Sequence, residues 1–277
     1  MSDWGITCIN ESNENTIFLL FVDNRNLPQT DTFYTNVFYR SPIVGAHGGR
    51  HDIFVDAKVY GVCGTAEKAL DTGVSVRDAQ PTLNPLRPSP EQPNAITCDA
   101  NTDNLSFVDT VTTMSTLNDG EIGIDVNPYS TDKLPNAFIG YGKLIPGDAG
   151  FVTPVLTTKA FPGRPCKMSP KAAFFVANIP SMAAKPSRGY ISSAEDFGSV
   201  ATIDFTRQPK GKCFAETLSG SWIPGWEMGV WDMEDSHSLA FFVGAGSAAE
   251  RLIGRSIKDF VTNTGVPNGD EDWLAEP

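Results

Sequence analysis

Residues 39–61, YRSPIVGAHGGRHDIFVDAKVYG, are the stretch whose reading decides the fold. Shifted by about 102 positions, they lie over residues 141–163, YGKLIPGDAGFVTPVLTTKAFPG. Tyr39, Ile43, Gly45, Gly48 and Gly61 then fall on Tyr141, Ile145, Gly147, Gly150 and Gly163. Ile53-Phe54 falls on Val155-Leu156, and Val59 on Phe161. Upstream, the apolar run at residues 18–23 falls on 120–125, and both end in aspartate. A fixed offset of this kind reads as an internal duplication. What both copies keep is read as structural, and what one copy alone carries as a candidate for function.

Outward from that stretch, short runs rich in Ile, Val, Phe and Thr recur between turn residues, which is a β pattern. Residues 6–9 and 16–22 flank Glu11-Ser12-Asn13-Glu14-Asn15 and read as a hairpin. Residues 51–62 read as one strand, alternating in part through Ile53, Val55, Ala57 and Val59. Asn118-Asp119-Gly120, between residues 108–117 and 121–126, reads as a tight hairpin turn, since Asp-Gly supplies positive φ. Further strands are expected at 137–141, 152–161 and 172–178, and a pair at 199–205 and 212–218.

Residues 81–97 hold Pro81, Pro85, Pro88, Pro90 and Pro93. Proline cannot donate to a sheet ladder, so the segment reads as an extended linker. Near the C-terminus, Ser247-Ala248-Ala249-Glu250 fits a capping box. Ala249, Ile253, Ile257, Phe260 and Val261 then give an apolar face at helical spacing. The expected fold is all-β: tandem, internally duplicated antiparallel β-sandwich modules with one C-terminal amphipathic helix. The modules are placed at 1–80 and 98–246, with the Pro-rich linker at 81–97 between them. The helix and an acidic tail occupy 247–277. The two modules are expected to sit side by side or to merge into one sandwich.

Composition narrows the function classes. The net charge of −12 disfavours nucleic acid or an anionic membrane as partner, because both are bound through clustered Lys and Arg. No run reaches the ~18 apolar residues of a membrane helix, and the first residues lack the pattern of a signal peptide. Cys8, Cys63, Cys98, Cys166 and Cys213 are odd in number and form no C-x-x-C pair. They read as reduced, mostly buried thiols, and the expected location is cytoplasmic. Asn10-Glu11-Ser12 and Asn104-Leu105-Ser106 match the glycosylation pattern, but no secretion is expected to bring it into use.

The familiar catalytic patterns are missing: no Gly-x-Ser-x-Gly, no phosphate-binding loop, no His-Glu-x-x-His. The candidates are therefore clusters. His47 and His51, with Asp52 and Asp56, stand in Gly45-Ala46-His47-Gly48-Gly49-Arg50-His51-Asp52. Two imidazoles and a carboxylate suit a divalent metal, but a glycine-rich loop is a poor frame for one, and no metal is expected. In the second copy these histidines become Ala149 and Thr153 while the glycines remain, so the turn asks for glycine and the histidines are free for other work.

The second cluster is residues 221–237, SWIPGWEMGVWDMEDSH. Trp222, Trp226 and Trp231 offer large flat faces, with Glu227, Asp232, Glu234 and Asp235 among or after them, and His237 last. Imidazole titrates near neutrality, so His237, His51 and His47, with Asp235, are the expected acid–base groups. Trp222, Trp226, Trp231, Glu227, Arg50, Tyr39 and Tyr141 are the expected substrate contacts. The expected function is a cofactor-independent isomerase, cyclase or lyase acting on a largely apolar small molecule. The alternatives are a lectin-like carbohydrate-binding module, or a structural protein forming a homodimer through the C-terminal helix.

Overall fold

The computed structural model describes residues 4–10, 12–23, 32–76, 79–89, 91–108, 111–144, 151–183, 186–197 and 200–205, and beyond these the backbone of three strands within 215–243. The strands are β1 (Trp4–Asn10), β2 (Thr16–Val22), β3 (Phe33–Thr35), β4 (Tyr39–Arg40), β5 (Gly49–Val55) and β6 (Tyr60–Thr65). Then come β7 (Gln80–Pro81), β8 (Ala95–Ala100), β9 (Leu105–Phe107), β10 (Ile122–Val126), β11 (Ala137–Leu144) and β12 (Val152–Lys159). The last are β13 (Cys166–Met168), β14 (Ala173–Pro180), β15 (Val200–Asp204), β16 (Ala215–Thr217), β17 (Trp222–Pro224) and β18 (His237–Val243). One 3-10 turn, Ala194–Phe197, is the sole helical element among the described residues. The expected C-terminal helix lies outside them.

The strands form four sheets. The first runs β17-β18-β1-β5 and the second β16-β15-β14-β2-β4. The third runs β3-β12-β11-β6-β7 and the fourth β13-β10-β8-β9. Most neighbours are antiparallel, as expected of an all-β chain. Two pairs are parallel, β1 with β18 and β8 with β10. The pair at 199–205 and 212–218 is present as β15 against β16, with Ala201 opposite Thr217.

Three local expectations are corrected. β1 and β2 do not form a hairpin; they belong to different sheets, and residues 12–15 lead from the corner into β2. The buried Asn10 side chain holds that corner. Its Nδ2 donates to the carbonyls of Glu14 (2.8 Å), Gly45 (3.0 Å) and Val44 (3.1 Å), and its Oδ1 accepts from the Ser12 amide and hydroxyl. An amide so engaged inside the protein is no glycosylation acceptor. Residues 51–62 are likewise two strands in two sheets, β5 and β6. The turn at 118–120 forms, with Gly120 at φ 86 and Glu121 N donating to Asn118 O at 3.1 Å. The strand after it, β10, pairs with β8 and β13 instead of with residues 108–117.

The segment 81–97 is fastened down. Pro81 sits on β7, opposite Val62, at the rim of the third sheet, an edge place that suits a residue without an N–H. Leu86 N donates to Val59 O at 2.8 Å, and β8 begins at Ala95.

Strands from 1–80 and from 98–246 share sheets: β2 lies against β14, β6 against β11, and β3 against β12. One apolar cluster joins all four sheets, including Ile6, Phe18, Cys63, Ile96, Ile122, Tyr141 and Phe174. The halves therefore merge into a sandwich-like body with a common core. The two stretches related by the offset differ in their partners. β4 and β5 fall in separate sheets, whereas β11 and β12 are neighbours, with a register shift between Tyr141 and Gly142.

β2, TIFLLFV, is buried along its whole length, because both of its faces are covered. One face (Phe18, Leu20, Val22) joins the common core. The other (Ile17, Leu19, Phe21) meets Val37, Phe175, Val200 and the Phe197 ring. One charged side chain is also enclosed. Lys143 on β11 is 1% exposed, and its ammonium donates to the Asp56 carbonyl at 3.0 Å, with those of Ala57 and Lys58 at 3.4 Å. It thereby ties the connection between the first and third sheets.

Candidate functional site

β5 forms one edge of the first sheet, and its sequence alternates. Arg50, Asp52 and Phe54 are exposed, while Ile53 and Val55 are buried on the face that also carries His51. His51 sits at the rim of that inward row and is half-buried. Across the ladder it faces Cys8 on β1, which is wholly buried.

β4 forms one edge of the second sheet, where Tyr39 lies opposite Leu20. The two edges meet through these side chains. Tyr39 Oη is 2.6 Å from His51 Nε2, and the rings stack with centroids 5.8 Å apart and planes 15° apart. The Arg188 guanidinium stands over the Tyr39 ring at 5.6 Å. Its loop is pinned beside β4: Gly189 N donates to Val37 O, and Val37 N donates to Tyr190 O, each at 2.9 Å.

Electrostatics keep the pair neutral. Burial lowers the His51 pKa, and the Asp52 carboxylate pulls the other way. Burial raises the Tyr39 pKa; Arg188 opposes this, and Cys8 adds to it. Burial, with the Asp52 charge, also pushes the Cys8 thiol up, so it stays protonated. At neutral pH an uncharged imidazole thus meets an uncharged phenol. The natural assignment has the phenol O–H donating to Nε2, with the single N–H of the neutral His51 ring on Nδ1.

The remaining sequence candidates are dispersed. Arg50 is exposed and paired with Asp52, its Nε and Nη2 at 3.0 and 2.9 Å from Oδ1. His47 is exposed on the turn before β5, with its backbone at φ 58 and its amide donating to Ser12 O at 3.1 Å. Tyr141 is wholly buried on β11 in the third sheet, where burial and the Asp23 charge raise its pKa. The backbone of His237 on β18 is in register with Trp4, four residues along β1 from the Cys8 that faces His51. That is a separation of about 13 Å along the strand. Trp222 lies on β17, in register with Val243. Trp226, Glu227, Trp231 and Asp235 lie outside the described residues. Among the described residues, no group of three or more His, Cys, Asp or Glu side chains could hold a metal.

Arg188 is the contributor that sequence reasoning missed. It lies 149 residues from Tyr39, and the one local cue is Gly189, whose φ of 71 closes the turn that presents it. Comparison with known protein families, curated protein sequences and solved structures returns no match. The functional reading therefore rests on the geometry.

Proposed function

We propose that this chain is a cofactor-independent enzyme that moves a proton within a largely apolar small molecule, as an isomerase, cyclase or lyase does. Tyr39 and His51 are its acid–base pair. The observation that carries the reading is the 2.6 Å bond between Tyr39 Oη and His51 Nε2 at the rim where two sheet edges meet.

The step balances within the pair. A substrate proton passes to Tyr39 Oη as the phenol proton passes to His51 Nε2. This leaves a substrate anion, a neutral tyrosine and an imidazolium. Asp52 favours the imidazolium, and the Arg188 charge beside Tyr39 favours the anion. The reverse transfer to a different substrate atom completes an isomerisation, and expulsion of a leaving group completes a lyase reaction.

An intracellular location and a small-molecule partner belong to the same proposal. The buried thiols of Cys8, Cys63, Cys98 and Cys166 support the first, and the net charge of −12 argues against a polyanionic partner. The carbohydrate-binding and self-association alternatives rest on residues 222–237 and 247–277, whose side chains lie outside the described residues.

The test needs no named substrate. The full chain is incubated with a mixture of small cellular metabolites in D2O, and mass spectrometry follows deuterium entering C–H positions. The wild-type chain should label a defined subset. Tyr39→Phe and His51→Gln should each slow that labelling by about 10²-fold or more. Labelling that persists in both variants, or its absence with the wild-type chain, would reduce the pair to a structural clamp between sheets.

A further inference from the structure

A concave feature lies at the end of the third sheet, away from the edges that hold Tyr39 and His51. It is a cavity of about 290 Å³ between β3, the ends of β11 and β12, and the loop after β6. Its wall begins with the sequence Phe161-Pro162-Gly163-Arg164. Proline at the second position and glycine at the third suit a type II turn. Gly163 has φ 68, and Arg164 N donates to Phe161 O at 3.2 Å. The turn is anchored at its base, where Ala160 N donates to Ala137 O at 2.9 Å and Tyr129 Oη donates to Ala160 O at 2.8 Å.

That geometry folds Arg164 back over the Phe161 ring, its guanidinium carbon 5.4 Å from the centroid. Lys159, the last residue of β12, brings its ammonium to 5.8 Å from the same centroid. Phe161 itself remains 40% exposed. Tyr34 and Leu70 supply apolar surface opposite, and Asn136 a polar amide. Among the described lining residues there are two cations and no carboxylate. In a chain of net charge −12 this is a local inversion of sign, and it focuses anions there.

We infer that this cavity binds a small organic anion: one carboxylate or phosphate held by Lys159 and Arg164, with a flat apolar body lying against Phe161 and Leu70. The volume matches the lower end of ligand pockets, about 300 Å³, which limits the body to roughly one aromatic ring. The inference does not depend on the proton-transfer reading, since no residue is shared with the Tyr39–His51 pair.

The test is calorimetric titration of the full chain with 3-phenylpropionate, with phenyl phosphate, and with the neutral 3-phenylpropanol, at low and high salt. At least one anion should bind, the alcohol at least about tenfold more weakly, and salt should weaken the anion alone. Which anion binds more tightly distinguishes a carboxylate ligand from a phosphate one. Lys159→Gln and Arg164→Gln should each weaken anion binding by about five- to tenfold, and Lys159→Arg should restore it. If Arg164→Gln fails to fold, the Lys159 pair of variants at an exposed strand end still decides. Equal binding of the alcohol, binding unchanged in Lys159→Gln, or no saturation with either anion in the millimolar range would overturn the inference.

Discussion

His51 owes its chemistry to where it stands on β5. One residue earlier or later, at Arg50 or Asp52, the side chain is exposed. At 51 it enters the inward row, and burial lowers its pKa below the ordinary 6.5. The consequence for stability has a definite sign. Protonation is harder in the folded state than in the unfolded one, so the unfolded chain takes up more protons on acidification. The contribution is fully present above pH 6.5 and is lost as pH falls from there through the folded value. Thermal melts between about pH 5 and 8 should show stability falling on the acid side, and His51→Gln should flatten that part of the curve. A slope unchanged in the variant would assign it to other groups. The residues of the pair were each legible in the sequence, as a tyrosine and a histidine near neutrality. Their contact was not, since Tyr39 and His51 reach each other from edges of different sheets.

At the level of strands, the third sheet depends on close backbone approach at β11. A Cβ at Gly140 would land on the Leu156 carbonyl oxygen and lie 2.9 Å from Thr157 Cα, and one at Gly142 would lie 2.6 Å from Val152 Cγ1. These glycines flank the register shift in the β11–β12 ladder. Gly140→Ala must therefore move backbone, and should lower stability by about 1–3 kcal/mol or more in urea unfolding. Gly120→Ala makes a useful contrast, since nothing lies within 4 Å of its Cβ and its cost is conformational alone, at φ 86. A Gly140→Ala chain as stable as the parent would mean that the two strands separate freely. The strands at 137–141, 152–161 and 172–178 could be read from β-branched and aromatic runs. Their partners could not, because alternation records which face is buried and is silent about the neighbour. The Asn-Asp-Gly turn shows the same limit: the turn forms as its residues dictate, and the strands beside it pair elsewhere.

Over the whole molecule the same limit governs the repeat. Residues 39–61 and 141–163 share strand-forming character and glycine placement, yet their strands are partnered differently. Nothing in residue spacing shows that β2 will lie against β14, or β6 against β11, and those pairings weave the two halves around a common core. The anchor at Lys143 gives that weave a chemical readout. An acylating reagent reacts with a lysine amine only when the amine is deprotonated and open to solvent. Lys58, at the chain's surface, should be modified promptly. Lys143 should be acetylated more slowly by about 10²-fold or more, and should catch up once urea opens the body. Equal rates in native buffer would show that the corner between β5 and β6 opens on its own. Peptide mapping of a single amine thus becomes a gauge of whether the first and third sheets stay joined.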